Sequence, residues 1–208
     1  ESIILELLDS ISNRVYEEDK STWYILFQCL LKVEILEKRL QIQKDDIKKI
    51  FLKLQSKYGG ISYFWLQFGL FEQSQGNYVA ALDYLEKSAS IRPKAFKIQH
   101  AVARNYMCYA NSLRSFEKAD ALFKKGENRM KELIESTDSL KRKARPYSIS
   151  CYVTEKVKFI KKFKGDQVPS GNELKYMKRI LEYVEPNGYM LTAFTKFYRL
   201  LTVLGKTD

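Results

Sequence analysis

The sequence predicts an all-α protein of about ten helices arranged as antiparallel pairs, and three observations carry that expectation. Apolar residues recur at three- and four-residue intervals along most of the chain and do not alternate as they would in a strand. The four prolines, Pro93, Pro146, Pro169 and Pro186, each stand beside an expected helix boundary instead of inside a periodic run. The connectors between periodic stretches are two to about ten residues long, which makes successive helices pack side by side.

In chain order, helices are expected over residues 2–16, 22–41, 45–58, 61–75, 78–91, 95–110, 115–136, 147–164, 172–184 and 188–204. Ile4, Leu7, Leu8, Ile11 and Val15 form the apolar stripe of the first, and Leu26, Leu30, Val33 and Leu40 that of the second. Gly59-Gly60 stops the third helix and turns the chain into the fourth, Gly76-Asn77 makes the next turn, and Pro93 closes the helix that follows. After Pro146, Ile149, Val153, Val157 and Ile160 define an apolar stripe that leaves the neighbouring lysines outside. Ser170-x-x-Glu173 is a capping box ahead of the Leu174-Tyr176-Met177 run. Three segments result: N-terminal helices over 1–60, two repeat-like units over 61–140, and basic C-terminal helices over 141–208 that cap the array.

Residues 62–95 hold the most specific pattern: Trp65, Gly69, Gly76-Asn77-Tyr78, Ala81, Leu85, Ser88 and Pro93. Gly69 and Ala81 are small where two helices would approach closely, and Trp65 would fill the space beside them. This pattern resembles the tetratricopeptide repeat, a thirty-four-residue helical hairpin. Glu72 departs from it, standing where an aromatic residue is usual. A degenerate second unit over 96–136 echoes Tyr78, Ala81 and Leu85 with Phe116, Ala119 and Phe123. The resemblance implies a right-handed solenoid whose first helices line a concave groove. The strings Tyr63–Gly69 and Phe96–Tyr106 are also similar to the helical-repeat C-terminal regions of some bacterial multidomain proteins. In those an NTPase, nuclease or sirtuin-like effector precedes the repeats, often in antiphage defence. That resemblance implies an effector upstream of Glu1.

Composition narrows the function. In 208 residues, 45% are hydrophobic, enough to offset chain entropy by burial and to exclude a disordered chain. The single histidine, His100, excludes sites built on two or more histidines, and nine glycines leave little material for phosphate-cradling loops. Gly205-Lys206-Thr207 ends like a phosphate-binding loop, but Leu200 stands where the earlier glycine is required. Asp45-Asp46 and Glu17-Glu18-Asp19 sit at helix starts or turns, where acids complement the helix dipole. Cys29, Cys108 and Cys151 are odd in number and surrounded by large apolar residues, so they read as buried free thiols in a reducing cytosol. No run of about 18 apolar residues spans a membrane. The expectation is a cytoplasmic, non-enzymatic protein with no cofactor and no metal, binding a protein or peptide.

Two surfaces are candidates for that binding. By the tetratricopeptide resemblance, the first helices of the two units would present Tyr63, Leu66, Leu70 and Gln73, then Lys97, His100, Arg104 and Met107, to the groove. An apolar strip beside a basic one suits an amphipathic acidic partner. The basic and Asn side chains with which chaperone-binding repeats hold a terminal carboxylate are unmatched in the Trp65 unit. The second surface follows from the charge. The net +11 is uneven: residues 1–60 hold 10 basic and 10 acidic side chains, 61–140 hold 11 and 9, and 141–208 hold 15 and 6. Lys141, Arg142, Lys143, Arg145, Lys156, Lys158, Lys161, Lys162 and Lys164 face Glu155 alone. With Tyr147, Tyr152 and Phe159 nearby for stacking, this segment is the alternative, a nucleic-acid or acidic-protein surface.

Overall fold

The computed structural model describes residues 3, 6–8, 22–136, 139–163, 169–182 and 188–204, without the side chains of 22–24, 39, 139–144, 188 and 189. The expected helix over 2–16 and Pro186 therefore lie largely or wholly outside the described residues. Among those described, the chain is all-helical and holds no strand. Nine α-helices are described: α1 (Thr22–Leu31), α2 (Lys44–Tyr58), α3 (Ser62–Ser74), α4 (Tyr78–Ile91), α5 (Phe96–Ser112), α6 (Phe116–Glu135), α7 (Ser139–Lys162), α8 (Gly171–Glu182) and α9 (Gly188–Val203). A π-helical turn, Ile35–Arg39, follows α1. The chain divides into two compact units, Glu1–Ile98 and Gln99–Asp208, with the boundary inside α5.

In the first unit the expected helix over 22–41 is interrupted. Lys32 is not helical, and the Val33 N–H released by the break donates to Gln67 Oε1 of α3 at 3.1 Å. Upstream, Tyr63 Oη donates to the Gln28 carbonyl, one of the last four carbonyls of α1, at 3.0 Å. The π-helical turn then closes through Leu40 N–H to Ile35 O, and Gln41, at φ 51°, reverses the chain so that Ile42 N–H reaches Leu36 O. The pairs Gln28–Tyr63, Val33–Gln67 and Glu37–Gln75 rise together, 35, 34 and 38 residues apart, so α1 with its π turn runs parallel to α3.

The apolar face of α1 differs from the expectation. Phe27 and Leu31 are buried, with Leu36 beyond them, whereas Leu26 and Leu40 are exposed. Phe27 packs on Tyr58, and Phe51 of α2 packs on Phe64, Phe68 and Phe71 of α3. Each such side chain, fully buried, contributes about 1.5–3 kcal/mol. The α3–α4 hairpin is held where two glycines and two serines allow it. A Cβ on Gly69 would lie 2.6 Å from Leu85 Cγ and 3.2 Å from the Ala81 carbonyl. Gly76 turns the chain at φ 80°, and Ser88 Oγ of α4 donates to the Ser62 carbonyl at 2.7 Å. Trp65 stacks on Tyr84 and donates its indole N–H to the Gly59 carbonyl at 2.6 Å. Glu72, the residue out of pattern, is 1% exposed yet paired: Lys48 Nζ lies 3.2 Å away and Asn77 Nδ2 donates at 2.7 Å.

In the second unit α7 is the central helix, with α6, α8 and α9 packed on it. The predicted stripe of Ile149, Val153, Val157 and Ile160 is buried. Pro146 corrects the reading of the prolines, because it lies inside α7 instead of opening it. Lys141-Arg142-Lys143-Ala144-Arg145 are good helix formers and carry the helix N-terminally past a residue that lacks an N–H. Gly126 of α6 meets α5 so closely that a Cβ would sit 2.7 Å from the Ala103 carbonyl. The capping box forms as expected: Ser170 N–H donates to Glu173 Oε2 at 2.8 Å, and Glu173 N–H to Ser170 Oγ at 3.2 Å.

Candidate functional site

A cleft of about 330 Å³ opens in the first unit where three elements meet. Ile25, Gln28 and Cys29 fall at i, i+3 and i+4, which places them on one face of α1, and Lys32 follows the last residue of that helix. Ser62, Tyr63 and Leu66 come from the start of α3. Arg92 and Ala95 of the α4–α5 connector, with Lys97 and Ile98 of α5, complete it. Its apolar residues include Ile25, which is 55% exposed, and Leu66, which is buried. Lys32, Arg92 and Lys97 are exposed cations, and no carboxylate lines the cleft among the described residues. Lys32 shares an exposed ion pair with Glu34 at 3.7 Å. Tyr63 is half-buried and held by its bond to Gln28 and by Phe27, 6.4 Å between ring centroids.

Three of the eight groove candidates, Tyr63, Leu66 and Lys97, are thus gathered in one cleft. Leu70 is half-buried and Gln73 buried, and neither lines it. The other three belong to the second unit and are mostly enclosed. His100 is 4% exposed and lies under Tyr147, 4.5 Å between ring centroids, and Met107 is fully buried. Burial and the Arg104 guanidinium lower the His100 pKa to about 4, so the ring is neutral near pH 7. Arg104 is half-buried. The sequence did not single out Ile25, Gln28, Lys32 or Arg92, and it marked Cys29 only as a buried thiol. Their signal was present, since Ile25, Cys29 and Lys32 are spaced at i, i+4 and i+7, but the apolar stripe expected through Leu26 and Leu30 masked it.

Arg104 belongs to a polar seam between α5 and α7. His100–Tyr147 lies toward one end and Asn111–Glu155 toward the other, so these two helices also run parallel. Asn111 Nδ2 donates to Glu155 Oε2 at 2.9 Å, Lys158 pairs with Glu155 Oε1 at 2.7 Å, and Lys162 Nζ donates to the Asn111 carbonyl at 2.6 Å. Cys108 and Cys151 are half-buried free thiols, and burial raises their pKa values to about 11 and about 12. They stay protonated and are poor nucleophiles. Cys29 corrects the expectation of three buried thiols, because it is exposed in the cleft.

The basic segment does not form the uniform outward face the sequence suggested. Lys156 is 3% exposed and is neutralised by Glu127 at 3.3 Å and Glu173 at 2.7 Å. Glu127 also accepts from Tyr152 at 2.8 Å and pairs with Lys131 at 2.9 Å. Burial alone would raise the Glu127 pKa, but Lys156, Lys131 and Tyr152 outweigh it and hold the carboxyl below its ordinary value. Tyr152 and Phe159, expected as stacking residues, are core residues, whereas Tyr147 is exposed. Arg145 Nη2 donates to the Ser136 carbonyl at 3.0 Å, and Lys161 is exposed. The side chains of Lys141, Arg142 and Lys143, and all of Lys164, lie outside the described residues. Among the described residues no group of three His, Cys, Asp or Glu side chains could hold a metal ion, and no helix is long and apolar enough to cross a membrane. Comparison of the chain with protein-family models, curated proteins and solved structures finds no match.

Proposed function

We propose that the chain is a non-enzymatic protein–protein interaction module, built as a tetratricopeptide-like array, that binds a partner through the cleft between α1, α3 and the start of α5. The observation that carries the reading is the cleft itself, which joins an apolar floor to three cations. Two further features support it. The parallel course of α1 and α3 at offsets of 34 to 38 residues matches the period of the repeat, and Gly69 packs against Ala81 and Leu85 as a small-residue contact requires. In a larger protein such a module acts as a sensor or regulatory part, because a partner that prefers one packing of the helices biases whatever is attached to them. The sequence resemblance adds antiphage defence as the setting.

The test is site-specific photo-crosslinking in cells. A benzoylphenylalanine at Ile25, in the cleft, should yield a discrete crosslinked protein, whereas the same probe at exposed Val79 of α4 should not. Adding Lys32→Glu and Lys97→Glu should abolish the product. Equal products from both positions, or none from Ile25, would remove the cleft as the partner site.

A further inference from the structure

We infer that the segment seated in this cleft carries a carboxylate beside an apolar side chain; the inference rests on the interaction reading above and names the chemistry of the partner. Lys32, Arg92 and Lys97 converge around one cavity that no carboxylate lines among the described residues. An incoming acid therefore meets positive charge from more than one side. The contact between Lys32 and Glu34 does not prevent this. At 3.7 Å, with both side chains more than half exposed, that pair contributes little and exchanges readily for a partner's carboxylate. Ile25, Leu66 and Ile98 supply apolar surface beside the cations, so charge alone leaves part of the cleft unused.

The size and shape of the cleft favour a peptide over a nucleic acid. About 330 Å³ is at the lower end of what binding pockets offer and holds a few side chains. Single-stranded nucleic acid is held by aromatic faces along a basic track. Among the described residues Tyr63 is the one aromatic side chain in the lining, and its hydroxyl is committed to the Gln28 carbonyl.

The experiment uses fluorescence anisotropy with the whole chain and a panel of labelled ten-residue peptides in which Asp or Glu alternates with Leu, Phe or Val. Circular dichroism verifies that each variant is folded. Binding should weaken at least tenfold when Asp and Glu become Asn and Gln, and as much when the apolar residues become Ser. Lys32→Glu with Lys97→Glu should also cost at least tenfold. If octaglutamate or a ten-nucleotide single-stranded DNA binds as tightly as the best peptide, the cleft is a general polyanion surface and the inference is wrong. If the Asn and Gln peptides bind equally well and Ile25→Asp still removes them, the interaction reading survives and the acidic preference fails. If no peptide in the panel binds, the inference and the reading beneath it fail together.

Discussion

His100 is the residue whose role changes most between sequence and structure. On a helical wheel it shares a face with Lys97 and Arg104, yet it is buried under Tyr147, with Arg104 the charge that lowers its pKa. A neutral buried imidazole makes stability depend on pH, and the sign follows from the two pKa values. The unfolded chain takes up a proton near pH 6.5, whereas the folded chain does so only near pH 4. The stability is therefore fully present above pH 6.5 and is lost progressively as pH falls toward 4, by roughly 3 kcal/mol in all. Urea unfolding at pH 7.5 and pH 4.5 should show this loss in the wild type, and His100→Gln should lack about 2 kcal/mol or more of it. An equal pH response in the two proteins would show that His100 is not the titrating group. Sequence position alone could not reveal the burial, because what encloses His100 is Tyr147, distant in the chain.

At the scale of elements, Lys156 joins three helices: α6 through Glu127, α7 on which it sits, and α8 through Glu173, whose other oxygen caps its own helix. Removing one member of a buried, hydrogen-bonded ion group leaves the others uncompensated, which costs about 3–5 kcal/mol. Lys156→Met should lower stability by that order in urea unfolding at pH 7. Lys156→Met with Glu127→Gln should recover more than half of it, because the carboxylate left without Lys156 is then gone. A double variant no more stable than the single one would mean that packing of the lysine stem, not charge, holds the three helices. Helix bounds were legible in the sequence wherever local chemistry marks them: Gly59-Gly60, Gly76-Asn77, Pro93 and Ser170-x-x-Glu173 all act within a turn of the helix they end or begin. The Lys156 group was not legible, since its partners lie 29 and 17 positions away in sequence. For the same reason the break at Lys32 was missed: Gln67, which satisfies the released N–H, is 34 residues downstream. The cleft was visible in part, through Tyr63, Leu66 and Lys97, because the repeat pattern orients α3 and the start of α5. No such pattern marks α1.

For the whole molecule, the decisive quantity is how much of the +11 charge is available to a phosphate backbone. The C-terminal segment suggested a nucleic-acid surface because nine cations face one acid in sequence, but folding engages most of the described ones with acids or backbone carbonyls. Of the five described cations in that segment, Lys156 pairs with Glu127 and Glu173, Lys158 with Glu155, and Arg145 and Lys162 donate to backbone carbonyls. Two of the three aromatic side chains expected to stack are in the core. A protein that neutralises Z phosphates loses affinity for duplex DNA with a log–log salt slope of about −0.9Z. Anisotropy titrations of a twenty-base-pair duplex from 50 to 200 mM NaCl should therefore give weak binding and a slope shallower than about −2. Lys158→Glu and Lys162→Glu together should change it little. A slope of about −4 or steeper, flattened by that double variant, would instead mean that these lysines exchange their protein partners for phosphates and that the basic segment is a nucleic-acid surface after all.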